Sequence, residues 1–94
     1  MAIFLITPLA NNFEGIKKAI ESQALDMMEV QNSAGILVNF QGTSVELSNK
    51  IGITREDDQK SELGAALVTS IGSYYGIAKA TMWEWMKTRL ERGL

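Results

Sequence analysis

The chain is predicted to be an α+β domain: one four-stranded antiparallel sheet with three helices, in the order β-α-β-β-α-β-α. Three observations carry this. Four apolar runs of strand length alternate with amphipathic stretches. Three sites have the composition of helix starts. A cluster of turn-forming residues joins the two middle runs.

The elements follow in chain order. "AIFLITPL" (2–9) is almost continuously apolar, as a strand covered on both faces tends to be. A helix is expected from about Asn12 to Ser22, with Phe13, Ile16 and Ile20 on one face and Lys17, Lys18 and Glu21 outside. Asn11-x-x-Glu14 is read as its start, a loose form of the capping box. "LDMMEVQN" (25–32) carries Asp26 and Glu29 and reads as an edge strand. Asn32-Ser33-Ala34-Gly35 has hairpin-turn composition and leads into "GILVNF" (35–40).

Thr43-x-x-Glu46 is a capping box for a short helix from about Ser44 to Ile51. Gly52 suits the left-handed position after it, and Ile53 the hydrophobic contact that accompanies such an end. "AALVTSI" (65–71) is the fourth strand. Thr81-x-x-Glu84 is read as the cap of a last helix running to Arg92 and stopped by Gly93. The first six elements make the ferredoxin-like βαββαβ unit, with strands one and three central. The two least polar runs are the two that this topology places in the middle.

At 94 residues the chain is expected to be a single domain spanning 1–94, with 46% apolar and 21% charged residues. No stretch reaches the length of a membrane span, and the apolar start has no basic residues before it; a cytoplasmic protein away from membranes is expected. There is no cysteine and no histidine, which removes disulfides, thiolate chemistry, the usual neutral-pH base and the commonest transition-metal ligand. No recognisable catalytic motif is present, no cofactor is expected, and the protein is read as non-enzymatic. Net charge is −2, so nucleic acid is a possible but not a favoured partner.

Several groups are weighed as sites. Glu56, Asp57, Asp58 and Glu62 match no EF-hand spacing, and a solvated acidic loop is favoured over a metal site. "GSYYG" (72–76) has neither a dinucleotide-binding pattern nor a Walker loop, and a strand-to-helix turn is its simplest reading. The functional reading makes Ser73, Tyr74 and Lys79 ligand-binding residues and Tyr74 and Tyr75 interface residues. Trp83 falls within the helical stripe of Met82, Met86 and Leu90 and is expected in the core. Trp85 falls at the stripe's edge near Arg89, and the two are candidate interface residues. Lys79, Lys87, Arg89 and Arg92 supply cations there, and Arg89 and Arg92 near the C-terminal end also favour the helix dipole without any ligand.

The runs "FLITPL", "GILVNF" and "ALVTSI", followed by "YYG" and "WEWMK", are similar in order to small bacterial ferredoxin-like proteins, including the CRISPR-associated small nuclease-like fold. The resemblance implies a compact, dimer-forming scaffold. That nuclease-like group places a metal-binding acid at the end of strand one. Here Thr7 to Asn12 holds none, so nuclease activity does not carry over.

In the expected topology the first two helices cover one sheet face, leaving the other to the last helix or to a second copy. The leading expectation is a binding or assembly module, a homodimer or one bound to a protein partner, acting through the sheet face and the last helix. The alternative is nucleotide or nucleic-acid binding by "GSYYG" and the basic residues.

Overall fold

The computed structural model describes residues 2–54, 63–72 and 80–92. Strand β1 (Ala2–Pro8) is followed by helix α1 (Phe13–Ser22), strands β2 (Asp26–Glu29) and β3 (Ile36–Phe40), and helix α2 (Ser44–Ile51). Strand β4 (Ala66–Ser70) and helix α3 (Ala80–Arg92) complete the order. The sheet runs β2-β3-β1-β4 with every neighbouring pair antiparallel. This is the ferredoxin-like arrangement plus a C-terminal helix, as the apolar runs predict.

Alternation along β1 and β3 divides the sheet into two unequal sides. Phe4 and Ile6 with Ile36 and Val38 face α1 and α2, where they meet Ile16, Ile20, Leu47, Ile51 and Ile53. The rings of Phe4 and Phe40 close one end edge to face, 6.1 Å apart. The opposite side holds a smaller buried cluster of Ile3, Leu37 and Met86, with Met82 and Trp85 packed beside it. The face that α1 and α2 cannot reach is therefore covered over its middle by the chain's own α3.

Local chemistry sets the ends. Thr43 accepts from the Glu46 N–H at 3.1 Å while the Glu46 carboxylate accepts from the Thr43 N–H at 3.1 Å, the reciprocal capping box. Gly52 sits at φ 88, and Ser48 O accepts from the Ile53 N–H at 3.0 Å, ending α2 in a Schellman-type turn with Ile53 buried beneath it.

Two expected caps are corrected. The N-cap of α1 is Asn12, with Asn11 left-handed at φ 46, so Asn11-x-x-Glu14 is not a capping box. The Asn12 side chain does not cap its helix either. Its Nδ2 donates to Leu63 O at 2.7 Å and Ala65 O at 3.1 Å, tying the start of α1 to the entry of β4. Helix α3 begins at Ala80, so Thr81 lies inside it and Thr81-x-x-Glu84 is not its cap.

The hairpin between β2 and β3 is also wider than a tight turn. Gly35 O accepts from the Val30 N–H at 2.8 Å, and Asn32 and Ser33 adopt successive left-handed conformations at φ 63 and 56. Gly35 is required by contact: a Cβ there would lie 2.9 Å from Ile6 O of β1.

Candidate functional site

The sheet side that carries α3 holds the candidate residues. Residues 82, 85, 86 and 89 recur at i, i+3, i+4 and i+7, one face of the helix. Met86 is buried on Ile3 and Leu37, and Met82 and Trp85 flank it. Trp83 is half-buried and is not among the residues packed on this cluster, which corrects the expectation that it is the core tryptophan.

Arg89 explains the rotation of the helix. Its Nε donates to Asp26 Oδ2 at 2.5 Å and its Nη2 to Asp26 Oδ1 at 3.1 Å, a two-pronged bond from α3 to the edge strand β2. Its Nη1 donates to the Trp85 carbonyl at 3.0 Å, and the guanidinium carbon stands 4.1 Å from the Trp85 ring centroid. Trp85 must therefore face the sheet for Arg89 to reach Asp26 across its ring. Hydrogen bonding and charge from Arg89 hold the Asp26 carboxyl below its ordinary range against a partial loss of water, with further help from Asn39 and the Trp85 side chain.

Asn39 lies opposite Asp26 in the β2–β3 register, on the side covered by α3. Its Oδ1 is buried without a hydrogen-bond partner, the one such side-chain atom among the described residues. The other sheet side has its own strap, Lys17 Nζ to Glu29 Oε1 at 2.5 Å. That bond raises the Lys17 pKa above its ordinary value.

Of the sequence-predicted site residues, the structure brings together Trp85 and Arg89. Ser73, Tyr74, Tyr75 and Lys79 lie outside the described residues, as do Glu56, Asp57, Asp58 and Glu62. Asp26 and Asn39 are the residues that sequence reasoning missed. The available signal was an acid at the start of a strand, two positions before Met28, in a chain whose last helix carries free cations.

The α3-bearing side is not covered to its β4 border. Leu67 follows the same alternation as Leu5 and Leu37 but remains 53% exposed, and Leu9, just past the end of β1, is 62% exposed. Leu67 lies on β4, which among the described residues is paired on one side only, with β1. Among the described residues no group of three or more potential ligands could hold a metal ion, and no helix is long and apolar enough to cross a membrane. No protein-family model, no curated protein and no solved structure matches this chain.

Proposed function

We propose that the protein is a non-enzymatic binding or assembly module, working through protein–protein contacts on the sheet side that carries α3. The observation that supports this reading is the uncovered border of that side. Leu67 stands open on β4, whose outer edge is unpaired among the described residues, and Leu9 stands open just past β1, while α3 is fixed on the sheet by Met86 and the Asp26–Arg89 bond. A fixed helix and a bare strand edge form a preorganised surface, which lowers the ordering cost of binding. The half-buried Trp85 belongs to the same side but lies toward its β2 border, where it carries the Arg89 guanidinium.

Native mass spectrometry of protein purified from its source tests this. The expected species are two copies of the chain, or one copy with a retained protein. A bare single chain overturns the reading, and a retained nucleotide replaces it with nucleotide binding.

A further inference from the structure

We infer that the contact surface is the open edge of β4 and that its occupant is a second copy of this chain, paired antiparallel about a two-fold axis at Val68. This deepens the proposed function and rests on it. The backbone directions come first. Ile3 O accepts from the Ile71 N–H at 2.9 Å, and Ala65 O accepts from the Leu9 N–H at 3.0 Å. The odd-numbered residues of this segment therefore bond to β1, and alternation turns the N–H and C=O groups of Ala66, Val68 and Ser70 outward. An antiparallel copy of the same strand meets them in register. Val68 faces its own counterpart, and Ala66 faces Ser70 of the second copy at both ends. Such a pairing makes about six main-chain hydrogen bonds and extends the four-stranded sheet of each copy into the other.

Charge decides which edge joins. From Gly64 to Ile71 the sequence carries no ionisable residue, so β4 meets itself without repulsion. The other edge, β2, has Asp26 and Glu29 at its two ends, and self-pairing would gather four acids along one short seam. Both β2 acids already hold cations, Arg89 and Lys17, which crowd that edge with charged side chains. Pairing β4 with β2 of another copy would leave a further edge free at each step and grow a filament, whereas β4 on β4 closes. Side chains agree. On the α3 side the exposed Leu67 comes to lie against Thr69 of the second copy and diagonal to its Leu67, removing apolar surface that one copy leaves wet.

The test is sedimentation equilibrium from about 1 µM to about 1 mM protein, together with amide hydrogen exchange read by NMR. The expected result is a monomer–dimer equilibrium in which the Ala66, Val68 and Ser70 amides become protected as concentration rises. Val68→Pro removes an outward donor without touching the β1 ladder and is expected to weaken the dimer at least about tenfold. Leu67→Lys alters an exposed side chain, so it keeps the fold even where the proline variant does not. It sets two cations across the axis and is expected to weaken the dimer by a similar factor, with partial recovery at high salt. A dimer that both folded variants leave intact, with the Val68 amide exchanging freely, overturns the β4 assignment. A chain that stays monomeric throughout also overturns it. If that monomer is nevertheless purified with a retained protein, the contact reading stands without the two-fold pairing.

Discussion

The two sides of the sheet are built from the same strands to different depths. Among the described residues, nine buried ones from both helices, both central strands and the turn after α2 interlock toward α1 and α2. Toward α3, three of the described residues are buried in contact, and the helix is held at its far end by a charged bond to a strand edge. One side is a core in which each side chain is enclosed from several directions. The other is a single helix resting on a surface and pinned at one end. Stability therefore belongs mainly to the first side, and freedom to bind belongs to the second.

The largest expected effect breaks the first side. Ile6→Ala removes a fully buried side chain from the centre of β1 and should cost about 3 to 5 kcal/mol of unfolding free energy, measured by urea titration. Met86→Ala on the other side should cost about 2 kcal/mol, because a lone helix can settle toward the sheet and shrink the cavity. Equal losses would mean that the two sides form one core and that the contrast is false. Trp85→Ala should cost about 1 to 2 kcal/mol, since its ring is half-buried and carries the Arg89 stack. It should leave association almost unchanged. A larger loss of association than of folding would place Trp85 itself in the interface.

The same contrast governs what could be read from the sequence. The α1–α2 side was legible because every part of it has a periodic or chemical signature: period-two strands, period-3.6 helices, the Thr43–Glu46 box and Gly52. Each of these is decided within a few residues of itself. The α3 side was not, because its decisive contact joins residues 26 and 89. A helical stripe drawn through Met82, Met86 and Leu90 admits Trp83 or Trp85 with little penalty. The choice falls to Trp85 because Arg89 has to reach Asp26, and helix periodicity holds no information about a carboxylate on a distant strand. The expected cap at Asn11 failed for a related reason, since Asn12 takes the N-cap position in its place. Asparagine caps helices well in isolation, but here two carbonyls at the entry to β4 claim its side-chain amide. Gly35 reads as an ordinary turn residue, although what excludes a side chain there is the Ile6 carbonyl of a strand far away in sequence.

The smallest expected effect sharpens the contrast, since among the described residues each side has one ion pair and the two respond oppositely to pH. Asp26 is held below the ordinary carboxylate range chiefly by its hydrogen bond to Arg89, so the unfolded chain takes up its proton first as the solution is acidified. Its contribution is complete above the ordinary aspartate pKa and is lost as pH falls through the lowered value. Lys17 is held above its ordinary value chiefly by its hydrogen bond to Glu29. Its contribution is complete below the ordinary lysine pKa and is lost only as strongly alkaline pH passes the raised value. Both pairs are largely exposed and screened, so each effect is small. They differ in what they hold. Lys17–Glu29 adds a strap to a helix already buried through Ile16 and Ile20, whereas Asp26–Arg89 pins one whose described contact with the sheet centres on Met86. Asp26→Asn should therefore lower the urea midpoint at neutral pH and converge with the parent chain as the pH falls through the acid range. Glu29→Gln should leave the tryptophan fluorescence unchanged at any pH. A constant gap between Asp26→Asn and the parent from neutral to acid pH would show that packing, not the charged bond, keeps α3 on the sheet.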